Sequence, residues 1–136
     1  MIHRAEDYIA LLASDDVYEP SPYEEATEAV WLDITARFPE ARDAVANNKT
    51  TSEAVIRALY LVGDERVRSQ LARVRRTLSD LLVEMGRDPS SRVGAALSYH
   101  PKLPPEALAE LLRHNSDLVR KLANERVQRD ATGAND

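Results

Sequence analysis

Cysteine is absent from this chain of 136 residues. That absence excludes disulfides, thiolate-held zinc and iron–sulfur clusters. Aromatic residues are scarce: one tryptophan, one phenylalanine and five tyrosines, 5% of the chain. A core must then come from aliphatic side chains and alanine, which suits helices better than a β-sandwich. The four glycines, at positions 63, 86, 94 and 133, stand alone. They form no phosphate-cradling loop, no dinucleotide fingerprint and no Gly-x-Ser-x-Gly turn. His3, His100 and His114 have no partner at metal-ligand spacing. Glu110 with His114 is an i, i+4 pair, but two ligands are too few for a metal site. Glu24 with Glu28 is another i, i+4 pair, two carboxylates of the kind that can shift a pKa for acid–base work. Acids early in a helix are explained by the helix dipole. No apolar run is long enough to span a bilayer, and none follows Met1 in the manner of a signal peptide. The expectation is a cytoplasmic, non-catalytic chain with no cofactor, no metal and no membrane association.

What the chain does have is a period. Val45, Leu71 and Leu97 stand 26 residues apart, as do Ile56, Leu82 and Leu108, and Leu59, Met85 and Leu111. Ala41, Val67, Val93 and Val119 extend the same interval. A fixed period of about 20–50 residues marks architectures whose units bury their apolar faces only by stacking on one another.

The elements follow from that register. A short helix is expected over about Arg4–Ser14, then a proline-bearing loop, then a helix over about Glu24–Phe38 with Val30, Trp31, Ile34 and Phe38 on one inward stripe. Pro39 stops that helix and opens the next. The first helices of the repeats carry Ala41–Ala46, Val67–Ala72 and Val93–Ser98; the second helices cover about Ser52–Gly63, Leu78–Arg87 and Pro104–His114. Asp64, Asp88-Pro89 and Asn115-Ser116 can cap the helices that follow them, and Thr77 with Asp80 has the spacing of a capping box. A half repeat begins at Leu118, one residue short of register. The polar, aperiodic stretch Gln128–Asp136 is expected to be disordered.

Val67-Arg68-x-x-Leu71-Ala72 … Leu81-Leu82 … Asp88-Pro89-x-x-x-Val93, together with Leu97-Ser98-Tyr99-His100-Pro101, resembles the variant leucine-rich repeat, a bacterial relative of HEAT repeats. The opening, from Val30-Trp31-Leu32-Asp33-Ile34 to Asn47-Asn48-Lys49-Thr50, resembles small bacterial HEAT-repeat proteins. The likeness covers about residues 39–126. It implies an all-α fold, a short right-handed α-solenoid of about three and a half 26-residue two-helix repeats behind an N-terminal helical cap. The expected divisions are an acidic cap over 1–38, repeats over 39–126 and a tail over 127–136, all in one domain. The iron–sulfur cluster of the best-known variant-repeat protein does not carry over, because its cysteines are missing. Gly94 also departs from the pattern, since Arg42, Arg68 and Arg120 hold the equivalent positions.

Charge is unevenly distributed. Residues 1–40 carry ten acids and two bases, a charge of −8; residues 41–136 carry thirteen acids and sixteen bases, a charge of +3. Such a layout bears on partners. The acidic head, Asp15, Asp16, Tyr18, Glu19, Tyr23, Glu24, Glu25 and Glu28, is the candidate surface for a basic protein, with tyrosines as anchors. Five arginines, Arg66, Arg68, Arg73, Arg75 and Arg76, crowd into eleven residues. Arg68 is expected to tie to an acid of the neighbouring repeat and Arg66 to Asp64 or Glu65. The remainder, with Lys49 and Lys102, forms a candidate anion-binding ridge: Lys49, Arg73, Arg75, Arg76 and Lys102. No aromatic is interleaved to stack bases. The leading expectation is a protein-binding module, monomeric or weakly self-associating, of the immunity or antitoxin kind. The alternative is a module that reads the nucleic-acid backbone, as HEAT-like repeats do in some DNA glycosylases.

Overall fold

A computed structural model of the chain describes residues 1–14 and 21–133. Among these the fold is all-helical: α1 (Ala5–Leu12), α2 (Glu28–Arg37), a 3₁₀ turn (Pro39–Ala41), α3 (Arg42–Asn47), α4 (Glu53–Val62), α5 (Glu65–Leu71), α6 (Ser79–Gly86), α7 (Ser91–Leu97), α8 (Pro105–Leu112) and α9 (Asp117–Ala131). None of these helices is long and apolar enough to cross a membrane. The chain divides into two compact units, Met1–Val67 and Arg68–Asp136, with the division inside α5.

In the first unit α2 packs on α1, α3 and α4. Its core is Tyr8, Trp31, Ile34, Val45, Val55, Ile56 and Leu59, each at most 1% exposed. Trp31 meets Tyr8 edge-to-face at 5.3 Å between ring centroids, so two of the scarce aromatics are spent in the interior. Burial of each such side chain contributes about 1.5–3 kcal/mol. α2 starts at Glu28, four residues later than its pattern predicts. Thr27 caps it, accepting from the Val30 N–H at 3.3 Å. The residues before it are drawn away by a distant partner. The Ile2 N–H donates to the Glu25 carbonyl at 2.7 Å, and Ile2 bridges to Ala26.

The second unit packs α6 on α7 and α8, and α9 on α7 and α8. A Cβ on Gly86 would lie 3.0 Å from the Glu110 Cβ and 3.1 Å from the Ala107 carbonyl oxygen, so α6 and α8 approach closely there. Gly94 has a similar reason to depart from the arginine column. A Cβ there would lie 2.9 Å from both Val119 methyls and 3.4 Å from the His114 Nε2. A long side chain has no room where that imidazole sits.

The apolar columns lie inside both units: Val45, Leu71 and Leu97; Leu59, Met85 and Leu111; and Ala41, Val67, Val93 and Val119 are all buried. Ile56 and Leu82 are buried too, whereas Leu108, expected to match them, is half-buried.

The same interval recurs in hydrogen bonds. His100 Nε2 reaches the Val74 carbonyl at 2.9 Å, and His114 Nε2 reaches the Asp88 carbonyl at 2.7 Å, each 26 residues back. Arg126 donates to the His100 carbonyl at 2.7 Å across the same separation, as Thr50 Oγ1 does to Glu24 at 2.9 Å. The other ring nitrogens are occupied as well. His100 Nδ1 accepts from the Lys102 N–H, and His114 Nδ1 from the Ser116 N–H, both at 3.0 Å. Asn48 behaves alike: its Nδ2 donates to the Glu24 carbonyl and its Oδ1 accepts from the Thr50 N–H, both at 2.8 Å. Each of these corner residues joins the N–H two places on to a carbonyl one repeat length or slightly less behind. Buried backbone groups at a corner need such partners.

Two local expectations are corrected. Thr77 and Asp80 do not form a capping box. α6 starts after Leu78 with no side-chain cap, and the buried Thr77 Oγ1 has no partner among the described residues. The tail expected to be disordered from 127 is helical as far as Ala131. Arg126 explains the difference. It is 6% exposed, bonds the Ser98 and His100 carbonyls at 3.0 and 2.7 Å, and pairs one turn on with Asp130 at 3.1 Å. That anchor prolongs the helix beyond the apolar pattern.

Candidate functional site

The acidic head belongs to the first unit. Asp15, Asp16, Tyr18 and Glu19 lie outside the described residues. The rest of it sits on a held segment. The Lys49 N–H donates to the Pro22 carbonyl at 2.6 Å. The Glu24 carbonyl accepts from Asn48 and Thr50, and the Glu25 carbonyl from Ile2. Above this backbone Tyr23 is 63% exposed, Glu25 and Glu28 are exposed, and Glu24 is half-buried. The Glu28 carboxylate accepts from the Ser52 hydroxyl. The Lys49 ammonium lies 5.4 Å from the Tyr23 ring centroid, a cation–π contact. Lys49 thus stands with the head, in the first unit, while Arg73, Arg75, Arg76 and Lys102 belong to the second.

Other acids of the first unit are already engaged. Arg37 forks onto Asp33 with two bonds of 2.6 Å and reaches Glu6 at 2.7 Å. Hydrogen bonds from that guanidinium hold the Glu6 and Asp33 carboxyls below their usual range. Arg4 pairs with Asp7 at 3.2 Å, and Arg66 reaches Asp43 at 3.3 Å.

In the second unit Arg68 donates to Asp88 at 2.7 Å, the acid tie expected of its column. Asp88 is buried and also accepts from the Ser90 N–H. Arg73, Arg75, Arg76 and Lys102 are all exposed. Neither histidine of this unit is available as a ligand or base, because both nitrogens of each are bonded to backbone groups. His100 is held below the usual imidazole range, chiefly by burial, with Arg126, Lys102 and Arg75 adding to the effect. Glu110 turns to Arg113 at 2.9 Å and Arg87 at 3.4 Å, away from His114.

The periodic apolar pattern also passed over a groove of about 600 Å³ in this unit, lined by α7, the start of α9 and the corner after α7. Arg73, Arg92, Ala95, Tyr99, Pro101 and Leu118 contribute to its lining. Tyr99 is 60% and Leu118 53% exposed. A sequence signal did exist. Arg73 and Tyr99 stand 26 residues apart, and so do Arg92 and Leu118; the exposed columns carry information as the buried ones do. Among the described residues no group of three His, Asp or Glu is placed to hold a metal ion. No family model, curated protein or solved structure matches this chain.

Proposed function

We propose that the chain is a non-catalytic protein-binding module whose acidic head receives a basic partner. The observation that carries this reading is the segment Ser21–Ala26. Its backbone is pinned by Ile2, Asn48, Lys49 and Thr50 while Tyr23 and Glu25 face water. A surface ordered in advance loses less entropy on binding, and an exposed tyrosine among carboxylates is a good contact for cationic side chains. The finer architecture goes with this reading: a right-handed α-solenoid of about three and a half 26-residue repeats, supported by the hydrogen bonds that span 26 residues. The immunity or antitoxin role, in the cytoplasm of a bacterium, is the specific form of the proposal.

The test is affinity capture from source-cell lysate on the wild-type chain and on a Glu24→Lys, Glu25→Lys, Glu28→Lys variant. A basic protein retained by the wild type, released by salt and lost from the variant is the expected result. Equal retention by both chains contradicts the reading. Kinetics refine it. Rim charge acts mainly on association and a buried aromatic on dissociation, so the triple variant lowers the on-rate and Tyr23→Ala raises the off-rate.

A second reading rests on Arg73 and Arg75, which are exposed and have no ion pair among the described residues. They would bind nucleic-acid phosphates without sequence preference. Titration with duplex DNA at physiological salt tests it: non-specific affinity lies at about 10⁻⁴–10⁻⁶ M.

A further inference from the structure

We infer that the groove along α7 and the start of α9 is a second, separate docking site, and that its occupant is a protein segment carrying an apolar side chain flanked by carboxylates. The lining pairs two chemistries. Ala95, Tyr99, Pro101 and Leu118 are apolar or aromatic, and two of them are more than half exposed. A large apolar side chain left in water beside others marks an interaction surface more than a lone one does. Arg73 and Arg92 supply the charge, and neither is paired with a carboxylate among the described residues. Asp117, which neighbours Leu118, is itself paired with Arg120. Arg129 stacks on one face of Tyr99 at 5.4 Å, which holds the ring and adds a third cation.

The chemistry of the groove therefore complements an acidic segment. A guanidinium binds carboxylates through its forked donors, and the apolar lining between the cations takes the anchor. The volume, about 600 Å³, lies within the range of pockets that take a drug-sized ligand, so it has room for several side chains of a peptide. The exposure of Tyr99 and Leu118 makes it an open trough, in which a small molecule would shed little water. A peptide chain covers such a trough along its length. Among the described residues of the lining Tyr99 is the one exposed ring, and Arg129 lies over it, so Leu118, Ala95 and Pro101 favour a side-chain anchor over a nucleobase. This site does not depend on the acidic head: it asks for a partner surface of the opposite charge.

Selection of short random peptides displayed on phage against the full chain tests the inference. The expected result is enrichment of sequences combining Asp or Glu with Leu, Ile or Phe. A fluorescein-labelled peptide of the enriched sequence then binds the wild type. Affinity falls by about tenfold or more, roughly 1.4 kcal/mol, in an Arg73→Glu, Arg92→Glu variant whose melting temperature is unchanged. Leu118→Ser weakens it independently. Three results overturn the proposal: no acidic enrichment, an enriched peptide that binds both variants as tightly as wild type, or tighter binding of single-stranded RNA that the arginine variant abolishes. The last would assign the groove to nucleic acid.

Discussion

After α3 of the first unit, a neutral amide closes the corner; in the second unit imidazoles do the same work. Asn48 and His100 both accept the N–H two residues on and both donate to a carbonyl far behind. The units differ in charge in the same sense. Residues 1–67 hold fourteen acids and six bases, and residues 68–136 nine acids and twelve bases. Geometry is thus shared while chemistry is not. What a corner requires is one donor and one acceptor at fixed places, and any side chain with both will serve. At His100, in the second unit, burial lowers the imidazole's pKa and so ties that corner to pH.

The largest effects should come from the cores, and they should be equal in kind. Leu59→Ala in the first unit and Leu82→Ala in the second should each cost about 2–5 kcal/mol. Hydrogen exchange should find the loss of protection around α2 and α4 in one case and around α6 and α8 in the other. A melt within a degree or so of wild type for either variant would show that its column is not a core column.

Arg126 sharpens the contrast, because it is buried, whereas the first unit's guanidinium that bonds two carbonyls, Arg42 to Thr35 and Val62 at 2.9 and 3.2 Å, is only half-buried. Removing it leaves the Ser98 and His100 carbonyls without their donor. Arg126→Ala should cost about 1–3 kcal/mol and shorten α9, visible as a loss of helical circular dichroism. Exposed Arg73→Ala should stay within about 0.5 kcal/mol of wild type. Equal effects of the two substitutions would contradict the structural role given to Arg126.

Gly94→Ala comes next. Alanine is favoured over glycine within a helix by about 1 kcal/mol, but overpacking costs about 1–3 kcal/mol. Both Val119 methyls lie within 2.9 Å of the new carbon, so turning χ1 cannot clear them both. Net destabilisation is expected in chemical denaturation; a stabilised variant would mean that α7 and α9 separate readily.

The smallest effect is a pH dependence. His100 is held neutral in the fold, its pKa lowered by burial, while in the unfolded chain it takes up a proton near pH 6.5. The unfolded state therefore binds more protons once pH drops below about 6.5. The contribution is fully present above that value and is lost as pH falls through the lowered folded pKa. His100→Gln keeps a donor and an acceptor but cannot be protonated. Denaturant midpoints measured between neutral and mildly acidic pH should fall less for this variant than for wild type. Parallel curves would remove His100 as a cause.

Much of this was legible from the buried columns, because an interval shared by four sets of apolar residues leaves few registers open. Asp64 and Ser116 act as the caps their types suggest, accepting from Val67 and Val119, whereas Ser90 rather than Asp88 caps α7, with Asp88 holding the Ser90 N–H. What escaped was non-local. The late start of α2 depends on Ile2, more than twenty residues away, and the helical extension past Val127 on the carbonyls of Ser98 and His100. The groove escaped for another reason: its columns join unlike residues, Arg73 with Tyr99 and Arg92 with Leu118, so the interval is present but no shared apolar type marks it until the fold sets them side by side.

His100 also has a consequence for how such a chain can grow. Its imidazole reaches back to Val74, and its own carbonyl receives Arg126 from ahead. One residue is therefore both plug and socket. A duplicated 26-residue cassette would arrive with its joints already made, and unequal recombination could lengthen or shorten the array without inventing a new contact. Gly94 and His114 share one space: where Arg42, Arg68 and Arg120 stand at the same interval, the glycine leaves room for the imidazole.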